Sequence, residues 1–337
     1  MVKLLGNKII GLNGDSEAIQ KAVEDIINEW ENKELIKFQT SGSTGKAKQI
    51  SFPREAIIDS AKISGDFFNW SRSTVALCPL GLNYVAGKMM VLRAITLQFQ
   101  LDIIAPTSLT GLGDLSNYDF APLVPMQLDA LLVNNIPLPK TILIGGAQLG
   151  KMVGESIKKQ NPRSKIFHGY GMTETLTHCA IREIHPKFSE SYQVLNGFKI
   201  TSNKNGTTIS AKHLPSPVIT TDILEIDKGG NFCFKGRKDF IINSGAHKIN
   251  PLEIEDLLSK IISPSFIVGP KPDERLGQKA VLIVEGHPDF NLTLDEIKGY
   301  LLGKTNKYNF PKELVIVPRL KYTPTGKIDR LASIREL

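Results

Sequence analysis

The chain has 337 residues, 41% of them hydrophobic and 22% charged, with a formal net charge of +7. That is ordinary globular composition with apolar material for about two domains. The lysines are dispersed with no basic run of interleaved aromatics, no apolar stretch could span a bilayer, and the three cysteines (Cys78, Cys179, Cys233) and six histidines show no metal-ligand spacing, so nucleic-acid, membrane and zinc-finger classes are disfavoured. Met1 to Gly14 lacks an apolar core and a small-residue cleavage site, and the odd cysteine count suits a reducing compartment, so a cytoplasmic protein is expected. Ser16 to Trp30 reads as an amphipathic helix, with Ile19, Val23, Ile26, Ile27 and Trp30 on one face and Asp15 or Ser16 as cap. Apolar runs at Leu35, Ile36, Phe38 and at Ile50, Phe52 predict a strand, a loop and a strand. A helix follows over 53–70, then a buried strand over 75–80, a helix over 86–97, a strand over 141–144 and a helix over 149–159. Alternating strands and helices imply an α/β sheet with ligands at the carboxyl ends of its strands. From Val194 to Cys233 the pattern changes to short strands, with a hairpin at Asn205-Gly206. Beyond Asp239, strands (266–268, 280–284, 314–317) mix with helices (251–261, 292–301).

Four stretches carry the chemistry. Thr40 to Lys48 reads Thr-Ser-Gly-Ser-Thr-Gly-Lys-Ala-Lys: glycines allow close backbone approach, hydroxyls and amides donate, and lysine brings charge, a set suited to a polyphosphate. It is not a Walker A loop, because Gly-Lys-Ser/Thr is missing and no helix opens after it. A polar hairpin tip is the plainer alternative. Tyr170-Gly171-Met172-Thr173-Glu174-Thr175 follows an apolar strand and is expected to open a helix. Tyr170 offers a face to a purine, Thr173 can bond a phosphate oxygen, and Glu174 is a hard oxygen ligand of the kind Mg²⁺ takes alongside phosphates. Thr221-Asp222 and Gly236-Arg237-Lys238-Asp239 supply a carboxylate able to clamp ribose hydroxyls and a guanidinium able to bond ribose and phosphate. Pro324 to Arg330 reads Pro-Thr-Gly-Lys-Ile-Asp-Arg, which alone would be a turn with a solvated lysine.

In this order and spacing the four motifs resemble those of the adenylate-forming superfamily of acyl- and aryl-CoA ligases, with the resemblance running from about residue 35 to the end. The resemblance implies a large adenylate-forming domain of mixed α/β sheets, residues 1–238, and a small mobile α+β domain, residues 239–337, hinged at Asp239. It implies ATP contacts from Thr40, Ser41, Gly42, Ser43, Thr44, Gly45, Lys48, Gly146, Ala147, Gly169, Tyr170, Gly171, Thr173, Asp222, Arg237 and Lys327. Lys327, Glu174 and Thr44 become catalytic, with Mg²⁺ on Glu174. Gly245, Ala246 and His247, in the Asn243 to Lys248 loop, are expected to line the coenzyme A channel. Two positions depart from the usual pattern: Ala47 stands where proline is common, and Ala246 where a second glycine occurs in some members. Only 39 residues precede the phosphate loop, so a shortened N-terminal region is expected, with room for a partner subunit in a homo-oligomer. Pro79 to Met90 occupies the place of the segment that walls the acyl pocket, and Leu123-Val124-Pro125-Met126-Gln127-Leu128 is similar to the Val-Pro-x-x-Leu segment of aryl-CoA ligases. These features look most like compact bacterial o-succinylbenzoate–CoA ligases of menaquinone synthesis. Tyr84 would then wall the pocket, and either Lys88 or Arg93 would hold the carboxylate that does not react. Two helical positions five apart cannot both face one pocket squarely. Other acyl-CoA synthetases, transfer to a carrier protein, or a non-catalytic nucleotide-binding member remain the alternatives.

Overall fold

The computed structural model describes residues 1–12, 16–40, 48–106, 109–147, 151–160, 162–203, 206–287, 290–323 and 328–337. Its frame is a nine-stranded sheet. Five neighbouring strands run parallel, in the spatial order Gln100–Ile103, Val75–Cys78, Phe120–Leu123, Thr141–Ile144, Lys165–Met172. Val-Ala-Leu-Cys, Phe-Ala-Pro-Leu and Thr-Ile-Leu-Ile are apolar on both faces, as a sheet covered on both sides by helices requires. Helices Glu17–Asn32, Arg54–Phe68 and Val85–Leu97 build one core, with Val23, Ile57, Met89 and Leu92 against Phe99 and Leu101. Helices Pro125–Val133 and Lys151–Gln160 build the other, with Leu128, Leu131 and Ile157 against Ile142 and Ile144.

Strand order reverses once. The chain leaves Val75–Cys78 for Gln100–Ile103 on one side, returns to Phe120–Leu123 on the other, and continues outward from there. The gap between Val75–Cys78 and Phe120–Leu123 is therefore a topological switch point. Antiparallel strands extend both edges: Val2–Leu5 and Lys8–Leu12 beyond Gln100–Ile103, and Thr177–His185 and Gln193–Val194 beyond Lys165–Met172.

The expected strand–loop–strand unit is the antiparallel pair Leu35–Gln39 and Gln49–Pro53. Short strands Phe198–Asn203, Gly206–Ala211 and Val218–Thr220 form a sheet, with Asn203 paired to Gly206 at the expected hairpin; Asn205 lies outside the described residues. Asp222–Ile226 pairs with Phe232–Arg237. Beyond Ile242 a five-stranded sheet (Ile242–Ser244, His247–Ile249, Phe266–Asp273, Gly277–Glu285, Glu313–Val317) packs with helices Pro251–Leu258 and Leu294–Leu301. The core around Ile254, Leu258, Leu282, Val284 and Ile297 draws only on residues from Ile242 onward. Among the described residues no helix is long and apolar enough to cross a membrane.

One sequence-based expectation is corrected. No helix opens at Thr173. The strand Lys165–Met172 runs into a single 3-10 turn, Thr173–Thr175, and returns antiparallel as Thr177–His185. The turn is tight enough that Leu176 (φ 59°) and Thr177 (φ 148°) both take backbone angles that side chains disfavour. Gly171 lies so close to it that a Cβ would stand 1.8 Å from the Thr177 carbonyl oxygen. Gly171→Ala should therefore cost at least ~2 kcal/mol, read as a lower denaturant midpoint, because the obstruction is backbone and cannot rotate away. Gly111→Ala, with open space around it, should stay within about 0.5 kcal/mol of the parent.

Candidate active site

Residues of the second and third motifs, Tyr170, Asp222 and Arg237, meet near the carboxyl end of strand Lys165–Met172. Gln127 clips the two sides of the switch point together: its Nε2 donates to Pro79 O at 2.9 Å, and its Oε1 accepts from Val124 N at 3.0 Å. One strand further out, Gly145 N donates to Leu123 O at 3.0 Å and Gly146 takes φ +88°, turning the chain through Gly145-Gly146-Ala147. His168, buried, reaches across to this turn, with Nε2 2.9 Å from Ala147 O and Nδ1 2.6 Å from Tyr192 Oη. A carbonyl only accepts, so Nε2 carries the proton and Nδ1 accepts from the tyrosine. Burial pushes the His168 pKa down to about 4 against the Ala147 bond, with the charge of Arg182 adding, so the ring is neutral.

Next to His168 and Gly169, Tyr170 donates its hydroxyl to Asp222 Oδ2 at 2.6 Å. Burial and the Asp222 charge push its pKa upward and keep the phenol protonated. Its ring meets Phe232 edge-on at 5.0 Å. Asp222 is buried, and strand pairing sets it directly opposite Arg237, whose Nη1 lies 3.6 Å from Asp222 Oδ1. Arg237 donates to both oxygens of Asp239, from Nε at 3.1 Å and Nη2 at 2.9 Å, and Nη2 also donates to Thr221 Oγ1 at 3.0 Å. Burial works against the Arg237 charge, but the Asp239 bonds and the Asp222 charge outweigh it and raise its pKa. Thr173 is buried in the turn, whereas the Glu174 side chain, half-buried, has no hydrogen bond or ion pair among the described residues.

At the loop base, Thr40 N donates to Lys48 O and Lys48 N to Thr40 Oγ1, both at 2.9 Å. Ser41, Gly42, Ser43, Thr44 and Gly45 lie outside the described residues, as does Lys327. Tyr84 stands at the N-cap of helix Val85–Leu97, whose start is pressed onto the switch-point turn: a Cβ on Gly87 would lie 2.4 Å from Gly81 O. Gly245-Ala246 form the two-residue turn of the hairpin pairing Ser244 with His247, Gly245 taking φ +60°. His247 stacks on Tyr308 at 3.8 Å.

The two nominated cations have different surroundings. Lys88 Nζ bonds Glu29 Oε2 at 2.5 Å and Lys37 O at 2.8 Å, which ties the helix start to the loop stem. Arg93 is 3% exposed and no carboxylate pairs with it among the described residues. Its Nη2 donates to Thr177 Oγ1 at 2.7 Å, Nη1 lies 3.7 Å from Met90 Sδ, and Nε has no hydrogen-bond partner among the described residues. Burial lowers its pKa to about 10, which still leaves it charged at neutral pH. Beside it His178 bonds Ser64 Oγ at 3.1 Å, and burial with the Arg93 charge holds its imidazole neutral. Sequence reasoning missed Gln127 as a clip, and it missed His168, Thr177, His178 and Tyr192. Only His168, adjoining a motif, carried a usable signal.

His168 gives an acid-sensitivity prediction. Its folded pKa lies below the ordinary 6.5, so the unfolded chain takes the proton first and stability falls as pH drops from about 6.5 towards 4, by up to roughly 3 kcal/mol. His168→Gln should flatten that limb in pH-dependent denaturant melts.

Residues 22–206 match the profile of the AMP-binding enzyme family. The 2-succinylbenzoate–CoA ligases of Staphylococcus aureus are 26% identical over 329 residues, covering 86% of this chain and 65% of theirs. That of Lactococcus lactis subsp. lactis is 27% identical over 89% of this chain and 70% of its own. The chain thus spans about 65% of the length of the Staphylococcus aureus relatives. Among solved structures, an acyl-CoA synthetase (AMP-forming)/AMP-acid ligase II-like protein from Dyadobacter fermentans is 28% identical, with TM-score 0.64 over 100% of this chain and 99% of that one. An o-succinylbenzoate coenzyme A synthetase from Bacillus subtilis, solved with ATP and magnesium ion, shares the fold at TM-score 0.77 and 19% identity, over 88% of this chain and 69% of that one.

Proposed function

The chain belongs to the AMP-binding enzyme family, and on that footing we propose that it activates a carboxylic acid with ATP and transfers the acyl group to coenzyme A. The acid carboxylate attacks the α-phosphorus of ATP, forming the acyl–phosphate bond and expelling pyrophosphate. The thiol of coenzyme A then attacks the acyl carbon and releases AMP. Positioning and charge neutralisation are the protein's main contributions to such a step. Asp222 and Arg237 face each other at the strand ends, where ribose and α-phosphate would be held, with Tyr170 and the Gly145-Gly146-Ala147 turn beside the base. Mg²⁺, which offsets phosphate charge when bound, fits Glu174: a single uncommitted carboxylate is what the ion uses when phosphates supply its other oxygens. Residues 1–238 form the large unit and 239–337 the small one, turning about Asp239 to exchange Lys327 for the Asn243 to Lys248 hairpin.

The substrate proposed is an aromatic acid with a second carboxylate, o-succinylbenzoate, as in menaquinone synthesis. Arg93 is the observation that carries this reading. A buried guanidinium without a counter-ion is costly, and an anionic ligand group relieves that cost. Of the two nominated cations it is the uncommitted one, since Lys88 is spoken for by Glu29.

Competition assays test the substrate. A site that pairs a polar group rejects analogues lacking it by up to about 10⁴-fold, whereas added methylenes change binding by only ~1–3 kcal/mol. o-Succinylbenzoate should therefore far outperform benzoate and octanoate. Arg93→Met should erase that ranking, mainly through KM, while holding or raising the thermal midpoint, because an unpaired buried charge gives way to an apolar side chain. An unchanged ranking would remove Arg93 from the pocket, and octanoate winning in the parent protein would make it a fatty acyl-CoA synthetase.

Lys327→Ala separates the half-reactions. Acyl-AMP formation should slow by roughly 10² or more, the scale of a lost oxyanion donor. Thioester formation from preformed acyl-AMP should be nearly unchanged. Equal damage to both steps refutes the assignment.

A further inference from the structure

Arg237 is over-committed. Its Nε and Nη2 both go to the Asp239 carboxylate, and Nη2 is shared with Thr221, whose hydroxyl in turn donates to Asp239 Oδ1 at 2.7 Å. Lys238 N donates to Thr221 O at 2.9 Å, so the whole turn Lys238–Phe240 is fastened to residue 221. A guanidinium has a fixed planar fork, and the edge that grips Asp239 is not available to ribose or phosphate oxygens at the same time. The pair is also accessible, with side chains 31% and 34% exposed, so a ligand can reach it and solvent weakens it. Burial works against the Asp239 carboxylate, but the Arg237 and Thr221 bonds outweigh it and hold it below the usual range, so both partners are ionised at neutral pH.

We propose that Asp239 and Thr221 form a latch that competes with the nucleotide for Arg237, so that ATP binding unfastens the turn at 238–241. The inference rests on the reading of Arg237 as a nucleotide ligand. Phe240 gives the latch reach. Its ring lies 5.5 Å from the Arg237 guanidinium carbon and 5.4 Å from that of Arg330, which donates to Glu255 in helix Pro251–Leu258 and follows Lys327 by three residues. The turn that ATP frees is thus packed on the segment that leads from the catalytic lysine. Coupling of this kind is reciprocal: whatever the nucleotide must displace weakens its own binding by the same factor.

Isothermal titration with MgATP, without acid or coenzyme A, tests the latch on the full chain. Arg237→Met should weaken ATP at least tenfold. Asp239→Ala should tighten it by roughly three- to tenfold, the scale of a partly exposed ion pair, and Thr221→Val should shift it in the same direction. In the parent, amide exchange at 238–241 should accelerate on adding ATP; in Asp239→Ala it should be fast already. If Arg237→Met weakens ATP but neither latch variant tightens it, or if ATP slows exchange at 238–241, the latch is wrong and the nucleotide site stands. If Arg237→Met leaves ATP affinity unchanged, the nucleotide reading of Arg237 fails and takes the latch with it.

Discussion

Parallel strands cannot be joined by tight turns, so each return must cross over the sheet and start again from the same end. In this protein five strands obey that rule, and all their carboxyl ends lie along one edge. A sheet of this kind opens where consecutive crossovers diverge to opposite sides, and here that is between Val75–Cys78 and Phe120–Leu123. The backbone there has lost its sheet partners and must find others. Gln127 supplies them for Pro79 and Val124, and His168 does so for Ala147. Neutral side chains suit this task, since they satisfy backbone groups without adding a charge that would itself need a partner.

Charge is confined to a few places, and its treatment differs between the two arginines. Arg237 is met by Asp222, Asp239 and Thr221, and its energy is set by competition among partners. Arg93 has the opposite setting: no carboxylate among the described residues meets it, and the groups around it include a methionine sulfur, a threonine hydroxyl, a neutral histidine and the Trp70 ring, 5.9 Å from its guanidinium carbon. A partnered, accessible cation can be handed from one anion to another at modest cost. A buried, unpaired one can only gain by receiving an anion. The first arrangement suits a group that must switch partners in a reaction cycle, and the second suits a fixed anchor.

The sequence made some of this readable and hid the rest for physical reasons. The hairpin Leu35–Gln39 and Gln49–Pro53 was legible because apolar runs flank a glycine-rich loop. Thr221, Asp222, Arg237 and Asp239 were legible as motif residues, and strand pairing between 222 and 237 explains why they converge. The turn after Met172 was misread as a helix start. Thr173 and Glu174 have the local chemistry of a cap, but tertiary pairing with Thr177–His185 overrides it. Thr175 stabilises the turn through its hydroxyl, which accepts from Met172 N at 3.0 Å and lies 2.6 Å from Thr177 O. A β-branched residue at positive φ, such as Thr177, runs against every propensity, so no local pattern could have announced it. The edge strand Lys8–Leu12, with alternate residues exposed, is likewise short, and its apolar residues do not alternate with polar ones, so no period stands out.

Strain at Thr177 bears on the setting of Arg93. Holding a side chain at such an angle costs of order 1–3 kcal/mol and persists only when neighbours over-determine it. Those neighbours are the Thr175 hydroxyl on one side and Gly171, with no room for a methyl group, on the other. What the strained backbone gains is a hydroxyl placed 2.7 Å from Arg93 Nη2, where it accepts from the buried guanidinium. The strand on the other side of the turn, Lys165–Met172, bears Gly169, Tyr170 and Gly171. One tight turn therefore fixes the spacing between these residues and the buried guanidinium, and it does so through backbone rather than through mobile side chains.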